Sequence, residues 1–149
     1  METTQTSEAP AATHAAKVLC TAKTHTTGGR SGASRTSDGR LDVKLSTPGT
    51  PGAGTNPEQF FAAGWSACYQ SAIEIEARKR RINLSPDSAI DAEVDLCLGE
   101  GGYFLQARFN VSFPGVEPGA AHTLIEAAHK TCPYSKATHG NVDIVTTLV

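Results

Sequence analysis

The most constraining feature of this 149-residue sequence is a pair of alternating apolar and polar runs separated by a glycine-rich turn. Every second residue is apolar from Ile90 to Leu98, and the same alternation continues from Tyr103 to Phe113. A period of two is typical of strands with one buried face, and the intervening Gly-Glu-Gly-Gly segment allows the chain to reverse. The sequence therefore predicts a long antiparallel hairpin whose apolar face is covered by other elements.

A strong helix start lies upstream of this hairpin. Asn56 is a favourable N-cap, Pro57 suits the first helical position, and Gln59 stands in the capping-box position. The residues from Phe60 to Cys68 are almost all apolar or small, whereas those from Glu74 to Arg81 are mostly charged. We expect a helix whose first half is buried and whose second half emerges into water.

The remaining patterns complete an α+β fold. A second helix is predicted from Pro118 to Cys132, followed by a last strand over Val142–Val149. Strand-like patterns also cover Lys17–Thr27 and Leu41–Leu45. The order is β-β-α-β-β-α-β, which indicates antiparallel sheets with two main helices packed on them.

Composition and charge exclude several classes of protein. The formal net charge is -2, so the chain has no basic field for nucleic acid or anionic lipid, and no apolar run approaches the length of a membrane-spanning helix. Residues 1–16 are rich in Thr, Ala and Pro and carry acidic residues where a signal peptide would be basic. We expect a disordered leader over 1–16 and a single cytoplasmic domain over 17–149.

The cysteines are the first candidates for chemistry. None of the four lies in a Cys-x-x-Cys pair, and for Cys20 and Cys97 a structural role is expected. Cys68 lies in the buried half of the first helix and Cys132 closes the second, so the two thiols could reach a common cavity as a peroxidatic and resolving pair. A packing role remains the alternative for each.

A reactive thiol needs a positive neighbour that lowers its pKa. Arg30, which is flanked by glycines, is the candidate, with a solvated loop arginine as the alternative. Glu58 could be only a first-turn acid that complements the helix dipole. It precedes Cys68 by ten residues, about 15 Å along a straight helix. If the two cooperate, the helix breaks near Gly64 or Glu58 comes from a second subunit.

Other catalytic classes lack their motifs. The five histidines show no metal-ligand spacing, and the sequence contains no phosphate loop, dinucleotide fingerprint or Gly-x-Ser-x-Gly. We therefore expect neither a metal nor a cofactor.

Three separated motifs follow one another between about Lys17 and the C-terminus. They are Thr27-Gly28-Gly29-Arg30 with the Ser37–Leu45 segment, Gly54-Thr55-Asn56-Pro57-Glu58-Gln59 continuing to Trp65-Ser66-Ala67-Cys68, and Cys132-Pro133-Tyr134-Ser135 continuing to Gly140-Asn141-Val142. Together and in this order, the motifs resemble the organic hydroperoxide resistance branch of the Ohr/OsmC family.

This resemblance implies a thiol-dependent peroxidase of organic hydroperoxides, including those of fatty acids, in an intertwined homodimer with two sites at the subunit interface. It implies that Cys68 is the peroxidatic cysteine and Cys132 the resolving one, with Arg30 as the activating cation and Glu58 as the carboxylate that holds it. Recycling would come from lipoyl groups on proteins or from small dithiols.

Four aromatic residues are candidates for an apolar mouth that binds the organic group of the substrate, although each could instead belong to the core. They are Phe60, Phe61, Trp65 and Tyr134. Four positions depart from the usual family pattern and bear on substrate preference and recognition of the reductant: Trp65, Tyr69, Lys136 and His139.

Three rival interpretations remain. Cys-Pro-Tyr-Ser is like a monothiol glutaredoxin site, but only 14 residues follow Ser135, too few for the fold that such a site opens. The sister OsmC branch shares the fold and chemistry, and the Pro-Tyr-Ser after Cys132 favours the Ohr branch over it. A non-enzymatic binding module with two packing cysteines is the third.

Overall fold

The computed structural model describes residues 16–149, so the leader expected over 1–16 lies, apart from Ala16, outside the described residues. The elements, in chain order, are β1 (Thr24–Thr27), β2 (Ala33–Thr36), β3 (Asp42–Lys44), α1 (Pro57–Lys79), β4 (Ala89–Gly99), β5 (Gly102–Ser112), α2 (Pro118–Thr131), α3 (Pro133–Thr138) and β6 (Asp143–Leu148). A single 3-10 turn over Gly29–Ser31 joins β1 to β2. The α+β class predicted from the sequence is confirmed.

Two three-stranded sheets make up the β structure. The first has the order β1-β2-β3 and is antiparallel, and the second has the order β4-β5-β6. The predicted hairpin forms β4 and β5, with Ile90 opposite Val111 and Leu98 opposite Tyr103. β6, however, runs parallel to β5, so the second sheet is mixed. The α2–α3 crossover returns the chain in the direction of β5, which strand alternation alone does not reveal.

The N-terminal strand is shorter than expected. Only Thr24–Thr27 of the predicted Lys17–Thr27 strand pairs with a neighbour, and Cys20 is exposed. The expectation that Cys20 packs within a strand is therefore wrong.

Helix α1 begins where the sequence predicts. The Asn56 side chain accepts a hydrogen bond of 2.9 Å from the Gln59 N–H, and the helix continues without a break through Gly64 to Lys79. Burial differs from the prediction, because the face that includes Ile73 and Ala77 is buried in the second half, whereas Ala63 and Ala67 are exposed in the first. The buried residues follow the face turned toward the sheet and α2, and this face runs the whole length of the helix.

The core lies where α1 and α2 pack on the second sheet. Its largest fully buried side chains include Trp65 and Tyr69 of α1, Phe109 of β5 and Leu124 of α2. The far end of the β4–β5 hairpin extends beyond this core. There the apolar face is uncovered in the protomer, with Leu98 70% and Tyr103 76% exposed.

Candidate active site

Two cysteine sulfurs meet where α1, α2 and α3 converge. Cys68 projects from α1. Cys132 follows the end of α2, where its backbone N–H donates a hydrogen bond to Ala128 O, and its side chain caps the first turn of α3. The two Sγ atoms are 3.3 Å apart, well beyond the roughly 2.05 Å of a disulfide, so both are thiols. Cys132 is fully buried and Cys68 partly so. We call this pair the thiol half-site.

The surroundings of Cys68 do not activate it. Burial raises the pKa of the Cys68 thiol, and the neighbouring Cys132 raises it further, whereas a hydrogen bond from the backbone N–H of Tyr134 lowers it. None of these influences is a cation. Among residues 16–149, the groups that shift this pKa therefore include no positive charge of the kind that a reactive thiolate requires.

Arg30 and Glu58 form the second cluster, which we call the guanidinium half-site. The guanidinium donates two hydrogen bonds to the carboxylate, of 2.8 Å from Nη1 and 2.6 Å from Nη2, in a bidentate pair. Gly28, with φ of 70°, takes the left-handed conformation that sets up the 3-10 turn carrying Arg30. The pair lowers the pKa of Glu58 and raises that of Arg30, so both stay charged.

The two half-sites lie apart within one chain. Glu58 is in the first turn of α1 and Cys68 is ten residues later on the same unbroken helix, about 15 Å further along its axis. The structure thus brings Arg30 to Glu58 and Cys68 to Cys132, but it does not bring one pair to the other. Of the two explanations that the sequence leaves open, a break at Gly64 is wrong.

The guanidinium half-site opens on a cavity of about 950 Å³. Its apolar wall comes from the β4–β5 hairpin, including Val94, Leu96 and Tyr103, and its polar wall from the start of α1. An apolar cavity with a few fixed polar groups is the usual form of a small-molecule site.

The four aromatic residues predicted to line an apolar mouth occupy different environments. Trp65 is fully buried, stacks edge-on against Phe61 and Phe109, and donates its indole N–H to Ser135 Oγ at 3.0 Å. It is a core residue of the protomer, and its place in a substrate mouth stays a prediction. Phe60 and Phe61 are half-buried, and Phe61 lines a smaller cavity beside Arg30 and Glu58.

Tyr134 remains accessible. Its side chain is 45% exposed, and its ring lies over Gly64, one helical turn before Cys68. A substrate that reaches Cys68 from this side would pass the tyrosine ring.

Sequence reasoning missed a hydrogen-bonded cluster behind Cys132. It consists of Ser135, His129 and Thr146 together with Trp65. The available signal was the position of Ser135 within Cys-Pro-Tyr-Ser and of His129 one helical turn before Cys132.

Three of the positions that depart from the usual family pattern lie close to this hydrogen-bonded cluster. Tyr69 is buried and donates its hydroxyl to Ile125 O at 2.9 Å, while Lys136 and His139 line a cavity of about 730 Å³ beside α3. Among residues 16–149, no group of three His, Cys, Asp or Glu side chains could hold a metal ion. Over the same range, every helix is too short or too polar to cross a membrane.

A family model and an individual relative place the chain in the same family. Residues 48–147 match the family model of the OsmC-like proteins. The organic hydroperoxide resistance protein of Xanthomonas axonopodis pv. citri is 43% identical over 136 residues, covering 89% of this chain and 96% of that protein.

Solved structures agree. The crystal structure of the organic hydroperoxide resistance protein OhrB of Bacillus subtilis superposes with a TM-score of 0.84 at 40% identity, over 89% of this chain and all of that one. An organic hydroperoxide resistance protein from Legionella pneumophila gives a TM-score of 0.83 at 39% identity, over 89% of this chain and 98% of that one. The residues that match the family model, 48–147, include Glu58 and both cysteines of the thiol half-site.

Proposed function

The chain belongs to the OsmC-like family, in the branch of the organic hydroperoxide resistance proteins, and on that basis we propose that it is a cysteine-based peroxidase that reduces organic hydroperoxides to alcohols. The observation that carries the proposal is the 3.3 Å separation of the Cys68 and Cys132 sulfurs, which come from residues 64 positions apart. Two thiols held this close can store the two electrons that reduce one peroxide.

In the first step the Cys68 thiolate attacks the distal oxygen of the hydroperoxide. The O–O bond breaks, the leaving alkoxide takes a proton to become the alcohol, and Cys68 becomes a sulfenic acid. Arg30 would stabilise both the thiolate and the negative charge that develops on the leaving oxygen. Glu58 would fix the guanidinium in position through its two hydrogen bonds.

In the second step the Cys132 thiol condenses with the sulfenic acid, forming an S–S bond and releasing water. The sulfurs need to approach by little more than 1 Å from their 3.3 Å separation. An external dithiol then opens the disulfide by two exchange reactions. A lipoyl group on a protein is the proposed reductant, since its second thiol completes the exchange intramolecularly. This recycling requires a reducing compartment, so we propose a cytoplasmic role in the response to oxidative stress.

The complete site is proposed to form between two subunits of a homodimer. Glu58, which holds Arg30 by two hydrogen bonds, lies about 15 Å along α1 from Cys68 of its own chain, and the pKa of Cys68 is raised rather than lowered within the protomer. The exposed apolar end of the hairpin, including Leu98 and Tyr103, offers a surface for the second copy. The guanidinium half-site of one subunit would then meet the thiol half-site of the other.

Substrate preference would come from apolar contacts. The wall of Val94, Leu96 and Tyr103 beside Arg30 would bury an alkyl or fatty-acid chain, which hydrogen peroxide lacks. Phe60, Phe61 and Tyr134 stay predictions as further parts of this surface. A faster reaction with tert-butyl hydroperoxide than with hydrogen peroxide would favour the substrate preference of the Ohr branch over that of the sister OsmC branch.

The test is a single turnover. The reduced protein is treated with one equivalent of tert-butyl hydroperoxide and its peptides are mapped by mass spectrometry without reduction. A stoichiometric Cys68–Cys132 bond is expected, and Cys68→Ser should consume no peroxide. Cys97→Ser is the matched control and should behave as the wild type. Thiols that stay unchanged would overturn the proposal and favour a binding module in which both cysteines only pack.

A further inference from the structure

Ser135 is the centre of a buried hydrogen-bond cluster directly behind the resolving cysteine. Its side-chain oxygen lies 3.0 Å from Trp65 Nε1 and 3.0 Å from His129 Nδ1, and the residue is only 6% exposed. Indole N–H can only donate, so the serine oxygen accepts from Trp65 and its own hydrogen is free to point at His129.

His129 extends the cluster to the sheet. Its Nε2 lies 2.9 Å from Thr146 Oγ1 in β6, and its ring stacks on Tyr69 with centroids 4.3 Å apart. Burial lowers the pKa of His129, which favours the neutral ring. With the proton on Nε2, the imidazole accepts from Ser135 and donates to Thr146, so one tautomer satisfies both contacts.

This cluster is connected to Cys132 by a single turn of chain. The backbone N–H of Ser135 points at Cys132 Sγ over 3.5 Å, and Cys132 itself caps α3. Side chains of α1 and α2 bond directly to Ser135 in that turn, and Thr146 of β6 is linked to it through His129. Since a misplacement of about 1 Å can slow an oriented reaction by about 100-fold, the contacts that hold this turn bear on how fast the two sulfurs join.

We propose that Ser135 and His129 are positioning residues for the resolving step: they hold Cys132 against Cys68 and so set the rate of disulfide closure, without setting the rate at which Cys68 reacts with hydroperoxide. The step is the condensation of the Cys68 sulfenic acid with the Cys132 thiol, which forms one S–S bond and releases one water. The inference rests on the proposed peroxidase function and extends it to residues that touch neither the peroxide nor Cys68.

The experiment separates the two steps by rapid quench. The reduced protein is mixed with tert-butyl hydroperoxide and quenched at increasing times in dimedone and an alkylating reagent. Mass spectrometry of the intact protein then distinguishes the thiol, the sulfenic acid and the disulfide. In Ser135→Ala we expect closure to slow by about 10-fold or more while loss of the Cys68 thiol stays within about 2-fold of the wild type. The sulfenic acid should accumulate, and excess peroxide should convert it to sulfinic acid more readily than in the wild type.

Two further variants keep the test independent of folding defects. Thr146→Val removes the hydrogen bond to His129 with little change of shape. We expect disulfide closure to slow less than in Ser135→Ala, and the loss of the Cys68 thiol to keep the wild-type rate. Thr123→Val is the matched control, because its hydroxyl bonds only to Gly119 O of its own helix at the exposed face of α2. Both of its rates should match the wild type.

The possible results are distinct. If Ser135→Ala closes its disulfide at the wild-type rate, or if both steps slow equally, the positioning role is wrong and the cluster serves only the fold. If the wild type itself forms neither sulfenic acid nor disulfide, the peroxidase proposal fails and this inference fails with it.

Discussion

At the scale of single residues, the Arg30–Glu58 pair combines a small contribution to stability with the positioning role that we propose for it. The pair is partly exposed, and ion pairs that solvent screens in this way contribute little to folding. Its geometry matters more, because the two hydrogen bonds leave the guanidinium one orientation.

We therefore expect Glu58→Gln to slow the reaction of Cys68 with tert-butyl hydroperoxide by about 10- to 100-fold, since the neutral amide cannot hold the guanidinium by two charged hydrogen bonds. Stopped-flow kinetics with one equivalent of peroxide gives the rate. Glu93→Gln is the matched control, because Glu93 also pairs with an arginine, Arg108, but on the hairpin. An unchanged rate in Glu58→Gln would show that Glu58 does not position the activating cation.

Glu76 is the second informative residue. This carboxylate, only 7% exposed, accepts hydrogen bonds from Lys79, Arg80 and Thr131, and the pKa of Glu76 falls to about 2 from its ordinary 4.5. Thr131 immediately precedes Cys132, so Glu76 ties the end of α2 to α1. A carboxyl with a lowered folded-state pKa stabilises the fold above its unfolded pKa and loses that effect as it becomes protonated.

The expected outcome is a pH-dependent difference in stability. Glu76→Gln should lower the melting temperature by several degrees at pH 7, and the difference from the wild type should shrink as the pH falls from about 4.5 toward about 2. Thermal unfolding followed by circular dichroism across this range measures it. Glu74→Gln, at an exposed position on the same helix, should show little effect at any pH. A difference that does not change with pH would contradict the assigned role of the charge.

At the scale of elements, the contact between α1 and α3 explains a glycine within a helix. Glycine costs about 1 kcal/mol relative to alanine at such a position. A Cβ on Gly64 would lie 3.2 Å from the Tyr134 ring, so the glycine leaves room for α3 to approach. Through this contact the Tyr134 backbone N–H reaches Cys68.

Gly64→Ala should accordingly gain less stability than the approximately 1 kcal/mol that helix propensity alone predicts. In a Tyr134→Ala background, where the ring is absent, the same substitution should recover most of that gain. Urea unfolding of the four proteins gives the coupling free energy directly. A coupling of zero would mean that the ring moves away without cost.

At the scale of the whole molecule, the division into two half-sites makes a prediction about subunits. If the guanidinium of one subunit activates the thiol of the other, a heterodimer of Cys68→Ser and Arg30→Ala chains keeps one intact site, because both substitutions fall in the other site. Its activity should be about half that of the wild type, although each parent homodimer is impaired at both sites.

Two affinity tags on co-expressed chains allow this heterodimer to be purified, and peroxide consumption measures its activity. Sites made within single chains would give a heterodimer without an intact site, with activity no higher than the average of its parents. Sedimentation of the wild type should also give twice the 15.6 kDa mass of one chain.

The sequence by itself determined the elements whose signals are local. The start of α1 follows from Asn56 and Gln59, and the register of the β4–β5 hairpin follows from its alternation and its turn. Caps, turns and strand faces depend on residues within a few positions of one another, so their physics can be derived from the chain alone. The resemblance to the Ohr branch added the family, which the comparisons confirm.

Only the tertiary structure decided what depends on residues far apart in the chain. It set the direction of β6, the burial of Trp65, the 3.3 Å approach of two sulfurs 64 positions apart, and the cluster around Ser135. These contacts form when separate elements pack, and residues distant in sequence carry no local signal of which partner they will meet. For the same reason the distance between the half-sites became evident only once α1 proved to be one continuous helix.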